Sequence, residues 1–342
     1  MIYSAVPLTQ DDVLFVRGAF GFWLLGLCAL SLLVFGVVGS WFEMNHWVAS
    51  VLLALLAIFG IRTIILEWRV MLTTVVESGF LEGDPLRTFL AVVGGTMVTF
   101  ALAVELSLSP IVAAGIVGVI AGFLSPKLAV PIYCGAFVGM TSPDLFVEYW
   151  HGLLAGTIAG AIYLLVQPVF HGIGGKLGTT AFVGAVLTVL ITNVGFIPVA
   201  IPPVDIILLA TVVATIGAVG TYLLHVRGPF SPVFASGIFG VLGGAGLPVV
   251  FGDHGVILAA CVFAASFAGM SDRKRIPSSL WMGLTGFFVG LLVIYTGPYL
   301  GGSGGKLGTI AFAASLAIYG LLISLHLMRV RYPEEFPEYD IT

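Results

Sequence analysis

The sequence predicts an all-α polytopic membrane protein of about twelve transmembrane segments, in which two N-terminal helices precede a five-plus-five inverted repeat. Three observations predict it: a composition too apolar for a soluble core, apolar runs of membrane-spanning length, and a six-residue string that recurs letter for letter.

Of the 342 residues, 59% are hydrophobic and 9% charged, with a mean hydropathy of +1.14. Soluble domains carry roughly 25% charge, so a soluble core cannot absorb this much apolar sequence. The runs approach about 20 residues, the length a helix needs to cross a hydrocarbon layer of roughly 30 Å. They do not alternate apolar with polar residues as barrel strands do. Helices are then the remaining way to satisfy backbone groups in lipid.

In chain order the candidate segments are residues 18–39, 47–66, 87–107, 109–124, 127–141, 147–169, 177–195, 205–226, 232–250, 255–271, 278–297 and 307–328. The first exceeds a signal-peptide core, and no small-residue cleavage site follows it before Trp41, so it is read as a retained anchor. The stretch 67–86, with Glu67, Arg69, Glu77, Glu82 and Asp84, reads as an amphipathic connector. The short pair 109–141 reads either as two spans or as a re-entrant hairpin, which leaves the parity unchanged. The expected organisation is 1–86 for the N-terminal helices and connector, 87–204 for repeat A, 205–330 for repeat B and 331–342 for an acidic tail.

Charge distribution orients the chain. With a cytoplasmic N-terminus, the inner segments hold Arg17, Arg62, Arg69, Arg87, Lys127, Lys176, Arg227, Arg273, Lys274, Arg275, Arg329 and Arg331. That is twelve of the thirteen basic residues, with Lys306 the exception. The positive-inside rule thus puts both termini in the cytoplasm and the chain in the cytoplasmic membrane.

The repeat is read from identities. Gly174-Gly175-Lys176-Leu177-Gly178-Thr179 returns as Gly304-Gly305-Lys306-Leu307-Gly308-Thr309, an offset of 130. At that offset Phe137, Gly139 and Met140 match Phe267, Gly269 and Met270, while Gly156 and Gly160 match Gly286 and Gly290. Upstream the offset is 122, where Ser109-Pro110, Gly115 and Gly118 match Ser231-Pro232, Gly237 and Gly240. The second copy therefore carries eight extra residues between Val241 and Phe267, expected in a loop. Five segments per copy is an odd number, so the second copy enters from the opposite face.

Each Gly-Gly-Lys precedes a helix. Glycines there can turn N–H groups toward one point, the helix start adds a positive dipole end, and the lysine adds charge. The expected substrate-binding residues are Gly174, Gly175, Lys176, Gly178 and Thr179, with Gly304, Gly305, Lys306, Gly308 and Thr309. The same string also suits a tight turn whose lysine snorkels to headgroups. Lys176 is followed by Leu177, so the string is no Walker A loop. Ser109, Pro110, Met140 and Thr141, with Ser231, Pro232, Met270 and Ser271, are read as lining a path or holding a coupling ion, since hydroxyls and carbonyls at a helix break suit a cation. Their alternative role is capping and close packing.

The six histidines are scattered without ligand spacing, and Cys28, Cys134 and Cys261 form no disulfide framework. No catalytic constellation, metal site or cofactor is expected, nor any nucleic-acid partner. The expected partners are a small solute, membrane lipids and a coupling ion, and homo-oligomers are compatible with the sequence. In repeat logic the chain resembles inverted five-plus-five transporters and small-solute channels. With the two Gly-Gly-Lys helix starts as substrate-contacting elements, the expected function is a secondary transporter of a small anionic or zwitterionic solute, its path between the repeats. The alternatives are a channel for a small neutral solute and an accessory or structural membrane subunit.

Overall fold

A computed structural model describes residues 10–74 and 83–325. The described residues form twelve α-helices and no strand. These are α1 (Gln10–Val38, continued by a π turn Gly39–Glu43), α2 (Trp47–Thr74), α3 (Pro85–Glu105), α4 (Pro110–Leu124), α5 (Ala129–Gly139) and α6 (Tyr149–Val166), followed by α7 (Lys176–Thr192), α8 (Val204–Val226), α9 (Pro232–Phe251), α10 (Asp253–Gly269), α11 (Ser279–Tyr295) and α12 (Lys306–Ser324). Seven of them, α1, α2, α3, α6, α8, α9 and α12, are long and apolar enough to cross a membrane. Leu55, Ile58, Leu90, Leu190 and Leu208 stand exposed on the outer surface, as suits helices facing lipid and not water.

Local chemistry sets the helix starts. Asp84 accepts from the Leu86 N–H at 3.0 Å and Pro85 occupies the first turn of α3, where its missing N–H costs nothing. Ser231 caps α9 by accepting from the Phe234 N–H at 3.2 Å, again with proline next. α7 and α12 instead start from glycines in the left-handed region, Gly175 (φ +87°) and Gly305 (φ +79°). Those turns demand glycine.

Helices approach closely wherever glycines remove the side chain. A β-carbon on Gly95 would strike the Ile132 carbonyl and one on Gly135 the Val92 carbonyl, which sets α3 against α5. Gly217 meets the Val262 carbonyl in the same way, setting α8 against α10. This is the small-residue packing of helices in lipid, where dispersion and not hydrophobic exclusion drives association. α1 and α2 cover α12, with the Thr63 hydroxyl donating to the Leu316 carbonyl at 2.7 Å.

Two expectations are revised. The eight extra residues of the second copy do not form a loop. They lengthen α9 to 20 residues against 15 in α4, and α10 to 17 against 11 in α5, while the linker shrinks from 125–128 to Gly252 alone. Apolar sequence in an apolar medium satisfies its backbone only by staying helical. Glu67 and Arg69 belong to α2, which runs on to Thr74. Asp84, Pro85 and Leu86 of the predicted connector open α3, while its residues 75–82 and the tail 331–342 lie outside the described residues.

The hairpin question also has a length answer. α5 has 11 residues, which rise about 16 Å at ~1.5 Å each. That is about half of the hydrocarbon thickness.

Candidate functional site

The two copies of Gly-Gly-Lys-Leu-Gly-Thr meet in the interior. A β-carbon on Gly178 would fall on the Cα of Gly308, and one on Gly308 on the Cα of Gly178. Gly175 abuts the Phe312 N–H and Gly305 abuts the Phe182 N–H, again a matched exchange. Two further matched pairs touch their own counterparts. Gly115 packs against Gly237, and the rings of Phe137 and Phe267 stand 4.4 Å apart at 48°.

Between these contacts the copies brace each other reciprocally. The Gly174 N–H donates to Ser271 Oγ at 2.9 Å, and the Gly304 N–H donates to Thr141 Oγ1 at 3.0 Å. The Asp272 N–H donates to the Gly172 carbonyl and the Ser142 N–H to the Gly302 carbonyl, both at 2.9 Å. Thr141 and Ser271 also donate to the Val138 and Ala268 carbonyls, each at 2.7 Å. Their hydroxyls therefore fasten one copy to the other.

Both lysines bond to backbone carbonyls. Lys306 is 8% exposed, and its ammonium donates to the Thr296 carbonyl at 2.6 Å and to the Tyr299 carbonyl. Lys176 Nζ donates to the Gln167 carbonyl at 2.9 Å. Each ammonium thus docks on carbonyls at the C-terminal end of the preceding helix, α11 or α6, where four backbone acceptors lack helical donors.

Two cavities flank the Phe137–Phe267 pair, and both rings line both cavities. The first, about 500 Å³, is lined by Gly174, Gly175, Lys176, Ser231, Pro232 and Met270. The second, about 280 Å³, is lined by Gly304, Gly305, Lys306, Ser109, Pro110 and Met140. Each cavity takes its lysine from one copy and its Ser-Pro from the other. Gly178, Thr179, Gly308 and Thr309 do not line either cavity. They are buried at the α7–α12 crossing, with the two threonine hydroxyls donating to the Gly175 and Gly305 carbonyls.

One interaction has no sequence signal. Glu67 on α2 is 5% exposed and binds Arg275 through two bonds of 2.6 and 3.1 Å. Arg275 also donates through Nε to the His171 carbonyl at 2.8 Å and lies over the Tyr319 ring at 4.9 Å. Burial pulls the Arg275 pKa down, but Glu67 and Tyr319 more than offset this and leave it above its ordinary value. His171 lines the larger cavity, so this ion pair ties the cavity rim to the N-terminal helices.

No protein-family model, curated protein or solved structure matches the chain.

Proposed function

We propose that this protein is a secondary transporter of a small anionic or zwitterionic solute, which passes between two five-segment copies inserted in opposite orientations. The observation that carries the reading is the pair of cavities bounded by the same two rings, each holding one of the two matched lysines. Gly115 with Gly237, Phe137 with Phe267 and Gly178 with Gly308 are each a residue touching its own match. Such self-matched contacts mark points on a two-fold axis. With an odd segment count that axis lies in the membrane plane, so the rings sit near mid-depth and the cavities open to opposite faces. The rims support this: the larger cavity draws on the turns after α4, α6 and α8, the smaller on those after α3, α5, α7 and α11.

The Lys/Arg split supports a cytoplasmic-membrane location with both termini inside. Ionisable groups this deep in a bundle default to a functional role. The docking of both ammonium groups on carbonyls favours, as second reading, a channel for a small neutral solute. Reconstitution into liposomes separates the two. Saturable uptake with counterflow is expected of the carrier, non-saturable uptake would favour the channel, and absence of any flux would favour an accessory subunit.

A further inference from the structure

The two cavities differ in chemistry at matched positions. At an offset of 130, Tyr163, Gln167, His171 and Thr180 in the larger cavity face replacement by Val293, Gly297, Gly301 and Ile310 in the smaller, and all eight line their cavities. Four hydrogen-bonding side chains on one side thus correspond to four that offer none. In the other direction Ile173 of the larger cavity is matched by Ser303 of the smaller, whose buried hydroxyl has no partner among the described residues, and Ser142 adds a hydroxyl to the smaller cavity alone. The matched lysines diverge too, for Lys306 is buried while Lys176 is partly exposed to its cavity.

We propose that the larger cavity is the solute-selecting site and that its ligand is a small organic carboxylate. Lys176 and His171 meet the carboxylate, Tyr163, Gln167 and Ser231 offer it further hydrogen bonds, and the rings of Phe137, Phe170 and Phe267 form an apolar wall for the ligand body, while the Thr180 hydroxyl lines the cavity with its proton donated to the Lys176 carbonyl. Among the described residues no aspartate or glutamate lines this cavity, and the Asp272 carboxylate lies behind Gly172 at its rim. Its volume of about 500 Å³ falls within the roughly 300 to 1,000 Å³ of small-molecule sites. A bare inorganic oxyanion would leave the apolar wall uncovered. This inference rests on the transport reading for the role of the cavity, yet binding tests it independently of flux.

The full chain in lipid nanodiscs is titrated calorimetrically with benzoate, benzamide and sulfate as probes. Benzoate is expected to bind, with benzamide at least tenfold weaker because it lacks the charge that Lys176 pairs. Lys176→Gln should weaken benzoate binding tenfold or more, and Lys306→Gln by no more than a third of that factor. Tyr163→Val and Gln167→Gly, which install the residues of the other copy, should each weaken it several-fold. They keep the test open if Lys176→Gln does not fold. Sulfate binding as tightly as benzoate, no benzoate binding, or equal effects of the two lysine variants would overturn the assignment. Binding without flux in liposomes would leave the site standing and remove the transport reading. Flux of another solute without benzoate binding would do the reverse.

Discussion

Arg275 and Glu67, 208 residues apart in sequence, form a two-bond ion pair inside the bundle, with side chains 16% and 5% exposed. The pair joins α2 to the turn between α10 and α11, and through the His171 carbonyl to the turn before α7. Removing one partner strands the other charge in a low-dielectric interior, which costs about 3–5 kcal/mol. Glu67→Ala is expected to lower the thermal midpoint in detergent sharply, whereas Glu67→Leu with Arg275→Met, which buries no charge, should recover much of it. A Glu67→Ala midpoint equal to that of the native protein would show that the pair contributes nothing.

At the α7–α12 crossing, Gly178 and Gly308 leave no room for any side chain. Overpacking of this kind costs about 1–3 kcal/mol, and here the obstacle is backbone that cannot rotate away. Gly178→Val and Gly308→Val should both reduce the monodisperse yield on size-exclusion chromatography. Gly195→Ala, with nothing within 4 Å of the added carbon, serves as the control. Normal yield from both valine variants would contradict the crossing.

Thr141 and Ser271 occupy matched positions and make matched bonds to Gly304 and Gly174. Replacing either with alanine leaves a buried N–H without its acceptor, at a cost of about 1–3 kcal/mol. The two alanine variants should lose similar stability by chemical denaturation, and Thr141→Ser should restore most of it. Widely unequal losses would argue against equivalent braces.

The rings of Phe137 and Phe267 are the shared wall of the two cavities. Phe137→Ala should join the cavities and raise passive flux of small solutes through reconstituted protein severalfold, measured per folded molecule because truncating a buried ring costs about 3–5 kcal/mol. Unchanged flux would place the barrier elsewhere.

Orientation can be read with two exposed positions, Gly195 in the turn after α7 and Lys274 in the turn after α10. Cysteines at these sites should react with a membrane-impermeant maleimide from opposite sides, Lys274→Cys from the cytoplasmic one. Reaction of both from the same side would end the inverted reading.

Helix positions were legible in the sequence because hydropathy is local: in lipid every apolar run must be a helix, and observed boundaries such as Pro110–Leu124 and Val204–Val226 fall within a residue or so of the runs themselves. The matched Gly-Gly-Lys strings were equally legible, being identities of letters. What those letters touch was not. Tertiary structure alone decided that the lysines dock on α6 and α11 carbonyls, that Gly178 and Thr179 serve a crossing and not a cavity, and that Phe137 meets Phe267. Phe137 and Phe267 were visible as a match, and aligning the copies also sets Tyr163 against Val293. Nothing in a single copy says which positions face a cavity. Glu67 signalled only a polar connector and not an ion pair, since its partner Arg275 lies 208 residues away in a turn of the second copy. Periodicity records which face of a helix is apolar, while contacts across hundreds of residues depend on how the helices cross, which in lipid is set by close packing of small residues and by buried hydrogen bonds.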